Sequence, residues 1–345
     1  MTSSPERSKQ KGNPLNTFSN KTISCALLVI FLLSLAPAPA DAWWIFGKRK
    51  RNADGSIAGK KKREIAGVSV GLVPGNPPAL SWKPDKAPRA VVLCLHELGL
   101  YNGVFDDLGK RMAAQGLAVY AIDLRGFGGW EDIPTKGSDM DLDLTLQDVK
   151  GSVEVIHKLH PNIPVFVLGE AMGGALALKA AATFPELIQG SITAAPGGEH
   201  FKTVQNYMTI VSKLAVKGPN HTTAYGQELM EIASPKEELK TAFRNDPKVR
   251  MDLAPRELMD CQFFMYKTRQ MARKIKNVPV LVVHGAKDGE SKEIGSERVY
   301  KNLATKDKEY LRVEDGDHYT FEDVKVSDAA FNSTLSWIDK HISAQ

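Results

Sequence analysis

The chain has 345 residues, of which 43% are hydrophobic and 25% charged, a composition that fits a globular protein and excludes a largely disordered one. The net charge of +5 is unevenly placed, because residues 1–63 hold 12 Lys or Arg against 3 Asp or Glu, which leaves −4 on the remainder. A mildly acidic body argues against a nucleic-acid surface, so no nucleic-acid partner is expected.

The first predicted element is an apolar run, Ile23–Leu35, with basic residues ahead of it and Ala-x-Ala sites in Ala36–Ala42 behind it. This order is typical of a secretory signal peptide over residues 1–42, and it predicts export to the periplasm or the extracellular space. Residues 43–64 form a basic linker with clusters at Lys48–Arg51 and Lys60–Arg63. Positive charge there also fits an uncleaved membrane anchor, with the linker against an anionic membrane surface.

From Ile65 onward, apolar stretches with the length of strands alternate with helical patterns. Two stretches at the start predict an antiparallel pair, and the later ones are continuous buried runs that indicate parallel strands: Ala90–His96, Leu117–Leu124, Pro164–Gly169, Leu187–Ala195, Val278–Gly285 and Glu309–Glu314. One helix is predicted from an apolar face formed by Leu142, Leu146, Val149, Val153, Ile156 and Leu159. The fold class is therefore α/β, with a mostly parallel doubly wound sheet built from residues 65–198 and 277–345.

Residues 199–276 interrupt the alternation, with helical stretches and no convincing strand. A connection of this length is too long for a loop in such a fold, so it predicts a helical cap inserted over the sheet. The cap is rich in flexible and aromatic side chains, namely Met208, Met230, Met251, Met259, Met265, Met271, Phe243, Phe263 and Phe264. Such side chains suit the roof of a site for a small apolar or acyl ligand, and equally the packing of the cap on the sheet.

The stretch Gly169–Gly174, which reads GEAMGG, lies where a strand turns sharply into a helix. This is the context of a nucleophile elbow, but its tip is Ala171, which has no reactive atom. Two partners follow in the order of a catalytic triad: Asp288 after one strand and His318 after the next. The carboxylate is expected to hold the imidazole in one tautomer and to stabilise its charged form.

These motifs, with LCLHELG, YAIDLRGFGGW, VLVVHGAKD and DGDHYTF, resemble the α/β-hydrolase superfamily, and within it the monoacylglycerol lipase-like, serine aminopeptidase-type branch. The resemblance implies an α/β-hydrolase fold and a site at Ala171, Asp288 and His318. It also implies an oxyanion hole formed by backbone N–H groups at Met172 and at Leu98 or Glu97. No cofactor is expected, and Cys25, Cys94 and Cys261 form neither a disulfide framework nor a metal pattern.

Two departures from the family pattern lie in the catalytic centre. Ala171 replaces the nucleophilic Ser, which closes the covalent route, and Glu97 replaces a Gly beside the oxyanion hole, where a Cβ and a carboxylate are unfavourable. The resemblance implies a carboxylic-ester (lipid) hydrolase, which would have to activate water directly. The alternative is a catalytically inactive pseudoenzyme that binds an apolar ligand or a partner. A third hypothesis is lyase-like proton abstraction by the His–Asp pair.

Overall fold

The computed structural model describes residues 65–72, 77–133, 139–201, 208, 210–212, 215–216 and 218–342. The expected signal peptide or anchor and the basic linker lie outside these residues. Within the described ranges, no helix has the length and apolar character needed to cross a membrane.

Eight strands form one sheet in the order β1-β2-β4-β3-β5-β6-β7-β8. Their bounds are Val68–Val70 (β1), Ala79–Trp82 (β2), Ala90–Leu95 (β3), Leu117–Ile122 (β4), Val165–Glu170 (β5), Gly190–Ala194 (β6), Val280–Gly285 (β7) and Lys308–Val313 (β8). Strands β1 and β2 pair antiparallel, and β3 to β8 are mutually parallel. The expectation of a mostly parallel sheet with an antiparallel start is confirmed.

Helices cover both faces of the sheet, as its buried strands require. They are α1 (Asp106–Ala114), α2 (Leu142–Leu159), α3 (Met172–Thr183), α4 (Tyr225–Ala233), α5 (Glu237–Asn245), α6 (Pro255–Tyr266), α7 (Thr268–Ala272), α8 (Glu293–Asn302) and α9 (Asp328–Ile342), with 3₁₀ turns at Asn102–Phe105, Gly128–Asp132 and Pro185–Leu187. One core cluster contains side chains of α2, α3 and α8, and the other contains side chains of α1 and α9. This is the doubly wound arrangement of the α/β-hydrolase fold.

Helix α2 begins where the Asp141 carboxylate accepts hydrogen bonds from two backbone N–H groups of the first turn, at 2.9 and 3.0 Å. Its side chains at Val149, Val153 and Ile156 are fully buried. The prediction that Leu159 continues this buried face is wrong, because that side chain is 54% exposed. Leu159 is the last residue of the helix, ahead of the turn that leads to β5.

Between β6 and β7, the described residues form four helices, α4 to α7. Met230, Met251 and Met265 lie buried there and line the cavity described below. The expectation that this whole set of side chains faces one apolar roof is too broad, because Met208 and Phe263 are 64% and 39% exposed.

Candidate active site

The turn between β5 and α3 has the strained backbone of a nucleophile elbow. Ala171 has φ 44° and ψ −107°, which a residue with a side chain seldom adopts. The turn is tightly packed, since a Cβ added to Gly173 would lie 1.9 Å from the carbonyl oxygen of Leu95. The N–H of Ala171 also donates to the carbonyl of Ala194 at 2.9 Å. The backbone geometry of the elbow is therefore present, with a methyl group at its tip.

Asp288 and His318 meet at the carboxyl ends of β7 and β8. His318 Nδ1 lies 2.7 Å from Asp288 Oδ2, and both side chains are buried. Backbone N–H groups of Glu290 and Ser291 donate to Asp288 Oδ1 at 2.8 Å, and the Ser291 hydroxyl donates to Oδ2 at 2.5 Å. Burial raises the pKa of Asp288, but His318 and the hydrogen bonds outweigh burial and lower it to about 2. The carboxylate is thus held as an anion that orients the imidazole.

The other ring nitrogen of His318 faces carboxylates. Its Nε2 lies 3.2 Å from Glu97 Oε1 and 3.8 Å from Glu290 Oε2. Burial lowers the pKa of His318, but the negative charges of Asp288, Glu97 and Glu290 outweigh burial and hold it well above the ordinary value. A serine protease needs this nitrogen unprotonated to accept the proton of the nucleophile. In this chain, Glu97 stabilises the charged imidazole instead.

Glu97 is 8% exposed, and its Oε2 has no hydrogen-bond partner within the described ranges. The concern that a Cβ is unsuitable at this position is not borne out by the backbone, because Glu97 does not have a positive φ. Its N–H donates to Glu322 Oε1 at 2.8 Å. That donor is therefore engaged, which leaves Leu98 and Met172, both at the cavity, as the predicted oxyanion-hole residues.

Glu170 positions the loop that carries His318. Its carboxylate accepts hydrogen bonds from the backbone N–H groups of Thr320, Phe321 and Glu322, at 2.7, 3.0 and 3.1 Å. The carboxylate is fully buried. Glu170 therefore joins the elbow to the histidine loop and is unlike a water-activating base, because its oxygens are already occupied.

A cavity of about 80 Å³ lies beneath the cap and has room for several water molecules. Its walls are mainly apolar, with few polar groups. The lining residues are Glu97, Leu98, Ala171, Met172, His200, Ile210, Tyr225, Gly226, Leu229, Met230, Met251, Leu253, Leu258, Cys261, Gln262, Met265, Glu290 and Tyr319. The residues expected at the elbow and the oxyanion hole thus share one cavity. Burial raises the pKa of the Cys261 thiol, so this side chain is a poor replacement for the missing nucleophile.

Three functional candidates escaped the sequence analysis: Glu290, Ser291 and Glu322. Glu290 follows Asp288 by two residues in the HGAKDGE stretch, which was the available signal. Its carboxylate, that of Glu97 and the imidazole of His318 each offer one atom within 4.8 Å of the others, a spacing that could hold a metal ion. Ser291 lies on the Nδ1 side of the imidazole, 3.5 Å from that nitrogen, and so it is no substitute for a serine at the elbow.

An eight-stranded sheet with a strained elbow after β5, an acid after β7 and a histidine after β8 defines an α/β-hydrolase. Residues 86–325 match the family described as serine aminopeptidase, S33, and the chain belongs to that family. The monoacylglycerol lipase-like branch, identified from the motifs, is supported by relatives of that name.

The chain is 26% identical over 263 residues to a monoacylglycerol lipase of Mycolicibacterium smegmatis, an alignment that covers 76% of this chain and 92% of that protein. It is 33% identical over 115 residues to a monoglyceride lipase of Homo sapiens, covering 33% and 37% of the two chains. A soluble variant of monoglyceride lipase from Saccharomyces cerevisiae, solved in complex with a substrate analog, shares the fold. The TM-score is 0.65 at 23% identity, over 82% of this chain and 97% of that one.

Proposed function

We propose that this chain binds a neutral, acyl-tailed lipid of the monoacylglycerol type and does not cleave it through a serine acyl-enzyme. It is, on this proposal, a pseudoenzyme of the lipase-like branch. The observation that carries the proposal is that the Glu97 carboxylate lies 3.2 Å from His318 Nε2, on the side of the imidazole that a serine hydroxyl would need. The methyl group of Ala171 supplies no attacking oxygen.

The electrostatics of the site also oppose acyl transfer. A tetrahedral intermediate develops negative charge beside the N–H groups at Leu98 and Met172, and Glu97 adds a carboxylate to the same cavity. Glu290 adds a second carboxyl group, but burial raises its pKa to about 8, so Glu97 carries the main electrostatic effect near neutral pH. Such a cavity destabilises an oxyanion, whereas it accepts hydrogen bonds from hydroxyl groups.

The choice of ligand follows from this combination of groups. Apolar side chains of the cap, including Met230, Met251 and Leu229, suit an acyl chain, and the carboxylates accept hydrogen bonds from glycerol hydroxyls. A fatty-acid anion would meet the like charge of the Glu97 carboxylate. The cavity of about 80 Å³ is smaller than a whole lipid, so binding requires the flexible methionine side chains to move aside.

The test is calorimetric titration of the purified full chain with monoacylglycerols of increasing chain length and with the matching fatty acids. We expect the neutral ester to bind at least tenfold more tightly than the anion, without release of fatty acid. Leu229→Trp should abolish binding by filling the cavity. Ile232→Trp, on the same helix but 41% exposed and away from the cavity, is the matched control. Equal binding of ester and anion, or equal binding by the two variants, would refute the proposal.

A second candidate function is slow ester hydrolysis by water, activated at Glu97 and His318. The Oε2 of Glu97 favours it, since that oxygen has no hydrogen-bond partner among the described residues and can accept a hydrogen bond from water. Purified protein would then release fatty acid from acyl esters at a low rate that disappears in His318→Ala. No release above background, or release unchanged in that variant, rules this function out.

For the location of the protein, we propose export by the signal peptide over residues 1–42. The alternative is an anchor formed by the same apolar run, with the basic linker of residues 43–64 on an anionic membrane. Mass measurement of the mature amino terminus separates the two, because cleavage near Ala42 removes the apolar run.

A further inference from the structure

We propose that Glu97, Glu290 and His318 form a binding site for one divalent transition-metal ion, and that zinc is the ion that their chemistry fits best. The site goes beyond the proposed lipid binding and does not depend on it. The three ligands come from the ends of three different strands and lie far apart along the chain, which is why no short sequence pattern reveals them.

The ligand atoms have the spacing that a zinc ion requires. His318 Nε2 lies 3.2 Å from Glu97 Oε1 and 3.8 Å from Glu290 Oε2, and one atom of each residue lies within 4.8 Å of the others. Zinc bonds of about 2.0–2.2 Å in a tetrahedral site place their ligand atoms about 3.3–3.6 Å apart. Small rotations of the two glutamate side chains therefore complete the coordination shell.

The imidazole is already oriented for coordination through Nε2. The Asp288 carboxylate accepts the Nδ1 hydrogen at 2.7 Å. Zinc binding would displace the Nε2 proton of the charged imidazole to solvent, which leaves the tautomer that coordinates through Nε2. Asp288 is itself fixed by two backbone N–H groups and the Ser291 hydroxyl. A metal-binding histidine ordinarily has such an outer carboxylate, which orients the ring and increases its basicity.

The charge and burial of the two glutamates suit a bound cation. Glu97 and Glu290 are each 8% exposed, and Glu97 Oε2 has no hydrogen-bond partner in the described part of the chain. With Asp288 they place three buried carboxyl groups around His318, while two further imidazoles lie at the edge of the cluster: His284 Nε2 is 3.9 Å from Asp288 Oδ2, and His200 Nδ1 is 3.9 Å from Glu290 Oε1. Buried carboxyl groups are costly in their charged form unless they are paired or coordinate a metal, and a bound divalent ion would stabilise both glutamates as anions.

The ligand set also indicates which ion would bind. One imidazole nitrogen with two carboxylate oxygens suits zinc and similar transition metals, whereas calcium and magnesium prefer shells made of oxygen alone. Three protein ligands leave the fourth position of a tetrahedral site open. Glu97 and Glu290 line the cavity, so an oxygen of a bound lipid could occupy that position.

The experiment is zinc titration of the full chain, untagged and freed of metal by chelator dialysis, in competition with a chromophoric chelator. We expect one zinc ion per chain. Glu97→Gln and Glu290→Gln should each weaken binding at least 100-fold, and Asp288→Asn about 10- to 100-fold through the outer contact. Glu228→Gln, which changes an exposed carboxylate on the cap, is the matched control and should bind as the wild type does. Cobalt(II) in place of zinc should give visible absorption bands of a four-coordinate ion, which report on geometry independently of affinity.

The proposal is overturned if the wild type binds zinc no more tightly than the Glu97→Gln or Glu290→Gln variant. In that case His318 and the glutamates form a proton-sharing ion pair only. Far-UV circular dichroism and melting temperatures of all variants separate lost coordination from lost folding. The lipid titration is repeated on the metal-free protein, so that failure of zinc binding and failure of lipid binding are separate results.

Discussion

Restoring a serine at the elbow should not by itself restore esterase activity. In Ala171→Ser, the new hydroxyl would need His318 Nε2 as its proton acceptor, but that nitrogen lies 3.2 Å from Glu97 Oε1. We therefore expect the single variant to remain close to background. The double variant that also carries Glu97→Gly should hydrolyse short acyl esters, because the base is freed and the carboxylate leaves the oxyanion site.

The magnitude follows from the distance between the charges. Two unit charges 3.2 Å apart interact by about 5 kcal/mol at an effective dielectric constant of about 20. Only part of this energy is recovered, because Glu290 still faces His318 when Glu97 is removed. Loss of a single oxyanion-hole donor costs about 10²–10³ in turnover, and an opposing carboxylate should cost no less. The double variant should therefore exceed Ala171→Ser by about 10³-fold in kcat/KM.

The assay is hydrolysis of chromogenic acyl esters, with covalent labelling of position 171 by a fluorophosphonate and detection by mass spectrometry. Ala171→Ser with Glu97→Gln is the matched control, because it removes the charge and retains the side chain, and it should give intermediate activity. Ala171→Ser as active as the double variant would refute the electrostatic reasoning. A folded double variant with no activity and no labelling would refute the view that the rest of the acyl-transfer site is intact.

Three further predictions concern stability, each read from urea unfolding. Gly173→Ala should lower the free energy of unfolding by about 3 kcal/mol or more, because its Cβ would overlap the carbonyl of Leu95. The control Gly71→Ala, whose Cβ would meet no described atom within 4 Å, should change that free energy little. Burial lowers the pKa of His96 from 6.5 to about 4, so the folded state binds this proton less readily than the unfolded state. Between pH 7.5 and pH 5, the free energy of unfolding of the wild type should therefore fall by about 2 kcal/mol more than that of His96→Gln. An equal fall in the two proteins would contradict this. Glu170→Gln should lower the free energy of unfolding by about 2–3 kcal/mol, since an amide nitrogen cannot accept hydrogen bonds from backbone N–H groups. The control Glu186→Gln, at an exposed position, should leave it unchanged.

The strands and their order along the chain were predictable because most of the parallel strands are buried apolar runs, whereas their order within the sheet was not part of the prediction. The elbow, Asp288 and His318 were predictable because each directly follows such a run. The contact between Glu97 and His318 could not be predicted, because it depends on the direction of the Glu97 side chain after β3 in the assembled sheet. Glu290 escaped for the same reason. The exposure of Leu159 shows the limit of periodicity, which does not reveal where a helix leaves the core.

The backbone at position 171 keeps its left-handed dihedral angle although no nucleophile needs it. Its glycine neighbours pack closely and its N–H bonds to the adjacent strand, and neither contact involves the side chain at position 171. An alanine codon becomes a serine codon through one nucleotide change, so the hydroxyl can return without any rebuilding of the main chain. The larger obstacle to hydrolysis through a serine at position 171 is then Glu97. Descendants of this gene would have to lose that acid before a regained hydroxyl could be selected.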